Sequence, residues 1–155
     1  SNISDMSDMF RNATSFNQDI GGWDVSKVTA MSYMFNNATS FNQPLNNWNV
    51  SNVVDMSFMF FRAYSFNQPL DNWDVSNVNT MSLMFQGTTS FNQNISNWNV
   101  SNVNNMDGMF AYAAFNQNLK SWNVNNVVNF MAFRSGSTLT SANSAKKTIS
   151  PYTIF

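Results

Sequence analysis

Five tryptophans, Trp23, Trp48, Trp73, Trp98 and Trp122, follow one another at intervals of 25, 25, 25 and 24 residues. A fixed period of this size marks an array of stacked units, in which each unit buries its apolar face only against its neighbours. The triplet Phe-Asn-Gln keeps the same beat at Phe16, Phe41, Phe66, Phe91 and Phe115, and Met-Phe does so at Phe10, Phe35, Phe60, Phe85 and Phe110. The one short interval comes from a residue lost between Phe110 and Phe115. Written from its Trp, the unit reads W-[DN]-V-[SN]-[NK]-V-x-x-[MF]-x-x-[MF]. In most copies it continues F-x-x-A-x-S-F-N-Q-x-[LI]-x-x, and together the copies account for nearly all of the chain up to residue 133.

Within a unit, Val28, Met31, Met34, Phe35 and Ala38 have the spacing of one helical face, which predicts a helix or a string of helical turns. Ser26, Ser51, Ser76 and Ser101 stand two residues ahead of that stripe and read as N-caps, with Asn125 in the last copy. Trp48-Asn49-Val50 alternates apolar and polar and follows Pro44, as Trp73 follows Pro69, which predicts a short strand. Stacked copies then make a parallel sheet of short strands on one face, with Trp on Trp and Phe on Phe beneath it.

Chemistry is narrowed by what the 155 residues lack. There is no His and no Cys, so Ser-His-Asp and Cys-His nucleophile systems, structural zinc sites and disulfides are excluded. Seven Lys and Arg against eight acids, all Asp, give a net charge of −1, which is no footprint for nucleic acid. No apolar run reaches the length of a membrane span. Asp5 with Asp8, and Asp71 with Asp74, read as solvated surface pairs rather than a glycosidase-type acid pair, since neighbouring units carry Asn at equivalent places. Asp19, Asp24 and Asp71 lack the spacing of a calcium loop. The expectation is a chain without catalysis, cofactor or metal. An ice-binding column fares no better: Thr14, Thr39 and Thr89 are interrupted by Tyr64 and Ala114.

The Asn and Gln that follow each core Phe, from Asn17 and Gln18 to Asn116 and Gln117, read as a structural asparagine ladder. An amide offers both a donor and an acceptor to its copy one unit away. The ten in-phase Met, from Met6 to Met109, read as adaptable filler against aromatic rings rather than a metal site.

The repeat W-[DN]-V-S-N-V-x-x-M-x-x-M-F-x-x-A-x-S-F-N-Q-x-L resembles that of the BspA-like leucine-rich repeat surface proteins, over residues 3–133. It is similar at greater distance to the treponemal type, with Val28, Met31, Phe35, Ala38 and Phe41 in matching phase. The segment from Ser137 to Asn143 resembles the G-x-x-L-S-x-x-N-Y element that closes such arrays. The resemblance implies an α/β repeat fold: a right-handed leucine-rich-repeat solenoid with a parallel sheet on one face and helical turns on the other. It also implies a cell-surface or secreted adhesion and recognition module, with no catalytic residues to carry over.

On this reading the array spans 1–134 and a C-terminal cap or tail spans 135–155, with Thr140 starting a short helix through Lys147 and Leu139, Ile149, Tyr152, Ile154 and Phe155 available to bury. Ser1-Asn2 falls inside the phase of a unit whose Trp would lie upstream, so a longer chain is expected, and a leader would precede it. If Trp48 and Val50 point inward, two polar columns face out. These are Asp24, Asn49, Asp74, Asn99, Asn123 and, beside them, Asn47, Asn72, Asn97 with Gly22 and Ser121. They are the candidate ligand face, suited to a protein or glycan of a host or neighbouring cell. The alternative is a stalk that spaces other domains. The cut first unit also points to end-to-end self-association, since it leaves apolar side chains and strand edges uncovered.

Overall fold

The computed structural model describes residues 2–146. They form six stacked rungs, bounded by the parallel single-residue bridges Asp5↔Ala30, Ala30↔Asp55, Asp55↔Thr80, Thr80↔Asn105 and Asn105↔Asn129. Rungs one to five are 5–29, 30–54, 55–79, 80–104 and 105–128. The sixth begins at residue 129. No residue of this stack is helical, and regular pairing goes no further than those bridges. This overturns the expected α/β leucine-rich-repeat solenoid, with its sheet of short strands and its helical turns.

The reason lies in where the N–H groups point. In a helix, the amides under the stripe from Val28 to Ala38 would bond four residues back. Instead Met31, Tyr33, Phe35 and Asn37 donate to the carbonyls of Asp55, Ser57, Met59 and Phe61 in the next rung, at 3.0, 2.9, 2.8 and 2.8 Å. The amides between them, at Met34, Asn36 and Ala38, donate three residues back, to Met31, Tyr33 and Phe35. Chained turns of this kind keep an apolar spacing of three and four residues, so the stripe looks helical while every second N–H leaves the rung. The alternation needs left-handed backbone twice per rung. Two columns supply it, one of Asp8, Tyr33, Phe58, Leu83, Gly108 and Ala132, the other of Asn12, Asn37, Arg62, Gly87, Tyr112 and Gly136, all with φ between 51° and 70°. Only Gly takes that conformation freely; the others are held by the ladder on either side.

The expected strand at Trp48–Val50 is likewise a junction of two turns, closed by Trp48 N–H on Leu45 O at 3.0 Å and Val53 N–H on Val50 O at 2.9 Å. Ser51 caps no helix. It is the donor, giving its N–H and hydroxyl to Asn49 Oδ1 at 3.2 and 2.7 Å, an Asx turn that closes the corner. Burial still alternates as expected, with Trp48 and Val50 inside and Asn47 and Asn49 exposed.

Inside the stack, side chains meet their own copies. Phe35, Phe60, Phe85 and Phe110 stack at 5.4 to 5.7 Å between centroids, and Trp73, Trp98 and Trp122 at 6.4 and 6.2 Å. Each buried indole N–H reaches a carbonyl of the preceding rung, as Trp73 Nε1 does Leu45 O at 2.9 Å. Asn67 Oδ1 accepts both the Asn92 N–H at 3.0 Å and the Gln93 side-chain amide at 3.0 Å, and the same pair recurs at Asn17, Asn42 and Asn92. Among the described residues no buried side-chain polar atom lacks a partner.

The ladder continues beyond residue 134. Thr140 N–H takes Asn116 Oδ1 at 3.1 Å, and Asn143 Nδ2 reaches Asn116 O at 3.2 Å, standing in for the Gln of earlier rungs. Where a helix from Thr140 was expected, there is one turn, held by Asn143 N–H on the Thr140 hydroxyl at 3.3 Å. Lys147, Ile149, Tyr152, Ile154 and Phe155 lie outside the described residues.

Asn67→Ala removes the acceptor of the Asn92 N–H and one of the two acceptors of the Gln93 side-chain amide, which keeps Asn67 O, and is expected to destabilise by about 1–3 kcal/mol. Met56→Leu with Met59→Leu, both fully buried, keeps volume and apolarity and should cost less than about 1.5 kcal/mol for each. Urea denaturation midpoints of the variants rank the two effects, and a larger loss for the Met pair would contradict filler status.

Candidate functional site

The columns singled out from sequence lie on the exposed side of the Trp corner, and the side chains of the first column are occupied in holding that corner. Asp24, Asn49, Asp74, Asn99 and Asn123 each accept the N–H two residues on, at 3.0 to 3.2 Å. Beside them, Asn97 Nδ2 donates to Asp71 O of the rung before at 2.6 Å, and Asn72 gives its backbone N–H to Asn46 Oδ1 at 3.0 Å. Asn47 is exposed. The Asp and Asn of the first column are interchangeable in this role because the turn needs only one acceptor oxygen.

Positions that refuse to repeat cluster elsewhere, on the face built by the left-handed turns. Down its first left-handed column run Tyr33, Phe58 and Leu83, and down the second run Arg62, Gly87 and Tyr112. Between them lie Phe61 and Gln86, and beyond them Tyr64. Tyr33 and Phe58 stack at 4.4 Å, and Phe58 lies 5.6 Å from Phe61. The Arg11 guanidinium sits 4.8 Å over the Tyr33 ring and is paired with Asp8 at 2.9 Å. Arg62 lies 5.1 Å over Phe61, and no carboxylate pairs with it among the described residues.

The glycines of these columns make the relief. Gly87 puts no side chain between Arg62 of the rung before and Tyr112 of the rung after. The gap is a notch of about 300 Å³ lined by Arg62, Tyr64, Gln86, Gly87, Thr89 and Tyr112. Gly108 does the same between Leu83 and Ala132, opening a second hollow of about 270 Å³ on the other side of Tyr112. A Cβ on Gly108 would come within 2.7 Å of the Leu83 side chain. Tyr112 is 64% exposed and Tyr64 43%, so the hollow is lined by two phenols, the Gln86 amide and a guanidinium that no carboxylate pairs with among the described residues. Such a set grips a carboxylate or a flat polar group. No cluster of three acids, His or Cys occurs among the described residues.

Sequence reasoning missed Arg62, Gln86, Gly87 and Tyr112 because it sought columns that repeat. The available signal was the break at Tyr64 in the Thr column. A family model described as Mycoplasma protein of unknown function, DUF285, matches residues 1–86 and again 68–150. The chain belongs to the DUF285 family. Comparison with curated proteins and with solved structures gave no match. The two DUF285 matches overlap over 68–86, as they can when rungs are interchangeable. None of the described residues forms a helix long and apolar enough to cross a membrane.

In this DUF285 array the corner acids are tuned by their turns. The Ser76 hydroxyl, then the Ser76 N–H, hold the Asp74 carboxyl below its ordinary value of 3.8, against a smaller opposing effect of burial; Ser26 does the same to Asp24, and Ser7 to Asp5. A carboxyl whose folded pKa is depressed adds stability that is present above about pH 4 and lost as pH falls through the folded value. Asn in place of Asp keeps the acceptor, as Asn49 and Asn99 show in adjacent rungs. The denaturation midpoint is therefore expected to drop below pH 4 in the wild type and to drop less in an Asp24→Asn, Asp74→Asn variant.

Proposed function

We propose that this DUF285 chain is a non-enzymatic recognition module of a cell surface, and that it captures a protein ligand presenting a carboxylate through the left-handed turn face. The observation that carries this reading is the Gly87 notch, where Arg62 has no acidic partner among the described residues and the exposed Tyr64 and Tyr112 flank it. Tyr and Arg are the residue types that concentrate binding energy at protein interfaces. Phe58, Phe61 and Tyr33 extend the same face as an apolar rim. The polar columns at the Trp corner have neither anchor type, and the side-chain oxygens of Asp24, Asn49, Asp74, Asn99 and Asn123 already serve the turns. A surface location is supported by the resemblance to BspA-like repeats.

The test is capture of immobilised matrix and cell-surface proteins, run beside a glycan array. Arg62→Ala combined with Tyr112→Ala should weaken protein capture by about thirtyfold or more, the effect of losing about 2 kcal/mol at a hot spot. Asn49→Arg with Asp74→Arg should leave it unchanged. Loss confined to the second variant would return the site to the Trp corner. Binding to glycans alone would change the ligand class, and silence in both panels would favour a spacer.

A further inference from the structure

A row of asparagines in the middle rungs, outside the Gly87 notch, carries hydrogen-bonding capacity that the frame does not use. Asn52, Asn77, Asn102 and Asn126 each spend one amide hydrogen on a carbonyl of the rung before, at Ser26, Ser51, Ser76 and Ser101, over 2.7 to 2.8 Å. Their side-chain oxygens accept nothing among the described residues. The interior ladder differs in this respect: Asn42 Oδ1 and Asn67 Oδ1 each accept two hydrogen bonds. Two residues further along each rung run Thr29, Val54, Asn79, Asn104 and Val128, a column that does not repeat. The side-chain amides of Asn79 and Asn104 make no hydrogen bond among the described residues. Asn52, Asn77, Asn102, Val54 and Asn79 line an open trough of about 420 Å³. No charged side chain lines it, and Val54, 42% exposed, gives it an apolar spot.

Unspent acceptors that recur once per rung select a ligand whose donors recur at the same step. Bridged rungs stand roughly 4.8 Å apart, the spacing of paired backbones. A pyranose in a straight β-linked chain advances by nearly that step, whereas side chains on one face of an extended peptide recur every ~6.7 Å, two residues at about 3.3 Å each. We infer that the trough binds an uncharged polysaccharide, laid along the array with one sugar per rung. Sugar hydroxyls donate to the oxygens of Asn52, Asn77, Asn102 and Asn126, and the amides of Asn79 and Asn104 meet further hydroxyls as donor or acceptor. The C–H face of a sugar rests on Val54. The trough offers no charge to pair with an acidic glycan. Each contact is weak, and the second and later sugars bind as tethered neighbours of the first, so affinity accumulates along the chain.

The experiment is isothermal titration calorimetry of the full 155-residue chain with β-1,4-linked glucose oligomers from dimer to hexamer. Each added sugar up to the tetramer should tighten binding about fivefold, which is about 1 kcal/mol, and the gain should then level off because the row holds four Asn oxygens. Asn77→Lys with Asn102→Lys removes two oxygens of the row, and Lys27 shows that this column accepts Lys. Asn79→Val with Asn104→Val removes both amides of the second column, which already holds Val54 and Val128; it stands alone should the Lys variant fail to fold. Near-ultraviolet circular dichroism of the stacked Trp checks each fold. Either variant should weaken tetramer binding about tenfold or more, while Arg62→Ala with Tyr112→Ala should leave it unchanged. Absence of binding at millimolar oligomer would overturn the inference, as would equal affinity for dimer and hexamer or wild-type affinity in both trough variants. Binding abolished by the Arg62 and Tyr112 substitutions would overturn it too, because it would place the glycan on the turn face.

Discussion

Everything in this structure depends on an amide that turns away from its own rung. A rung of 25 residues without helix or extended strand has many backbone donors and acceptors to satisfy, and a buried polar group left alone is costly. The turn face solves this by alternation. Met31, Tyr33, Phe35 and Asn37 bond outward to the next rung, and Met34, Asn36 and Ala38 bond inward to their own. One set ties rungs together, and the other keeps each rung flat enough to be tied. The left-handed residues are the condition for that alternation, which is why Tyr33, Phe58 and Leu83 hold a backbone conformation their side chains disfavour.

The side-chain columns follow from that frame. Once the backbone repeats at a spacing near the thickness of a ring, Phe35 lies over Phe60 at 5.4 Å and Trp98 over Trp122 at 6.2 Å. Amides then fall in place to bond their own copies. The stack therefore has two kinds of position: those whose side chain is matched to itself one rung away, and those that face solvent beside a left-handed turn and are under no such demand. The residues of the proposed recognition site belong to the second kind.

Much of this was legible in the chain. The period, the stacked Trp and Phe, the burial of the Met columns and the inward–outward alternation around Trp48 all follow from residue spacing. The error over the helix has a definite cause: side-chain stripes report a period, and chained turns share the helix's period. Nothing in Val28, Met31, Met34, Phe35 and Ala38 states where the N–H groups point. A fainter signal did exist, in residues tolerant of a positive φ that recur at one phase, Asn12, Asn37, Gly87 and Gly136. The proposed site was obscured for a different reason. Asp24, Asn49, Asp74, Asn99 and Asn123 drew attention by repeating, and repetition in this chain marks structural duty. Arg62, Gly87 and Tyr112 share one column and share no chemistry, which is how a column free to specialise reads.

The 24-residue fifth rung shows what the frame tolerates. One residue is missing between Phe110 and Phe115, yet Asn116 N–H still meets Asn92 Oδ1 at 2.9 Å and Phe91 still stacks on Phe115 at 5.9 Å. Junctions are thus insensitive to what the loop between them does. A gene that gained or lost 25 codons would lengthen or shorten the array by one step without creating a junction of a new kind. A single substitution beside a left-handed turn would recut the surface without touching the junctions. Length and surface chemistry can drift separately in such a chain, and neither has to wait for the other.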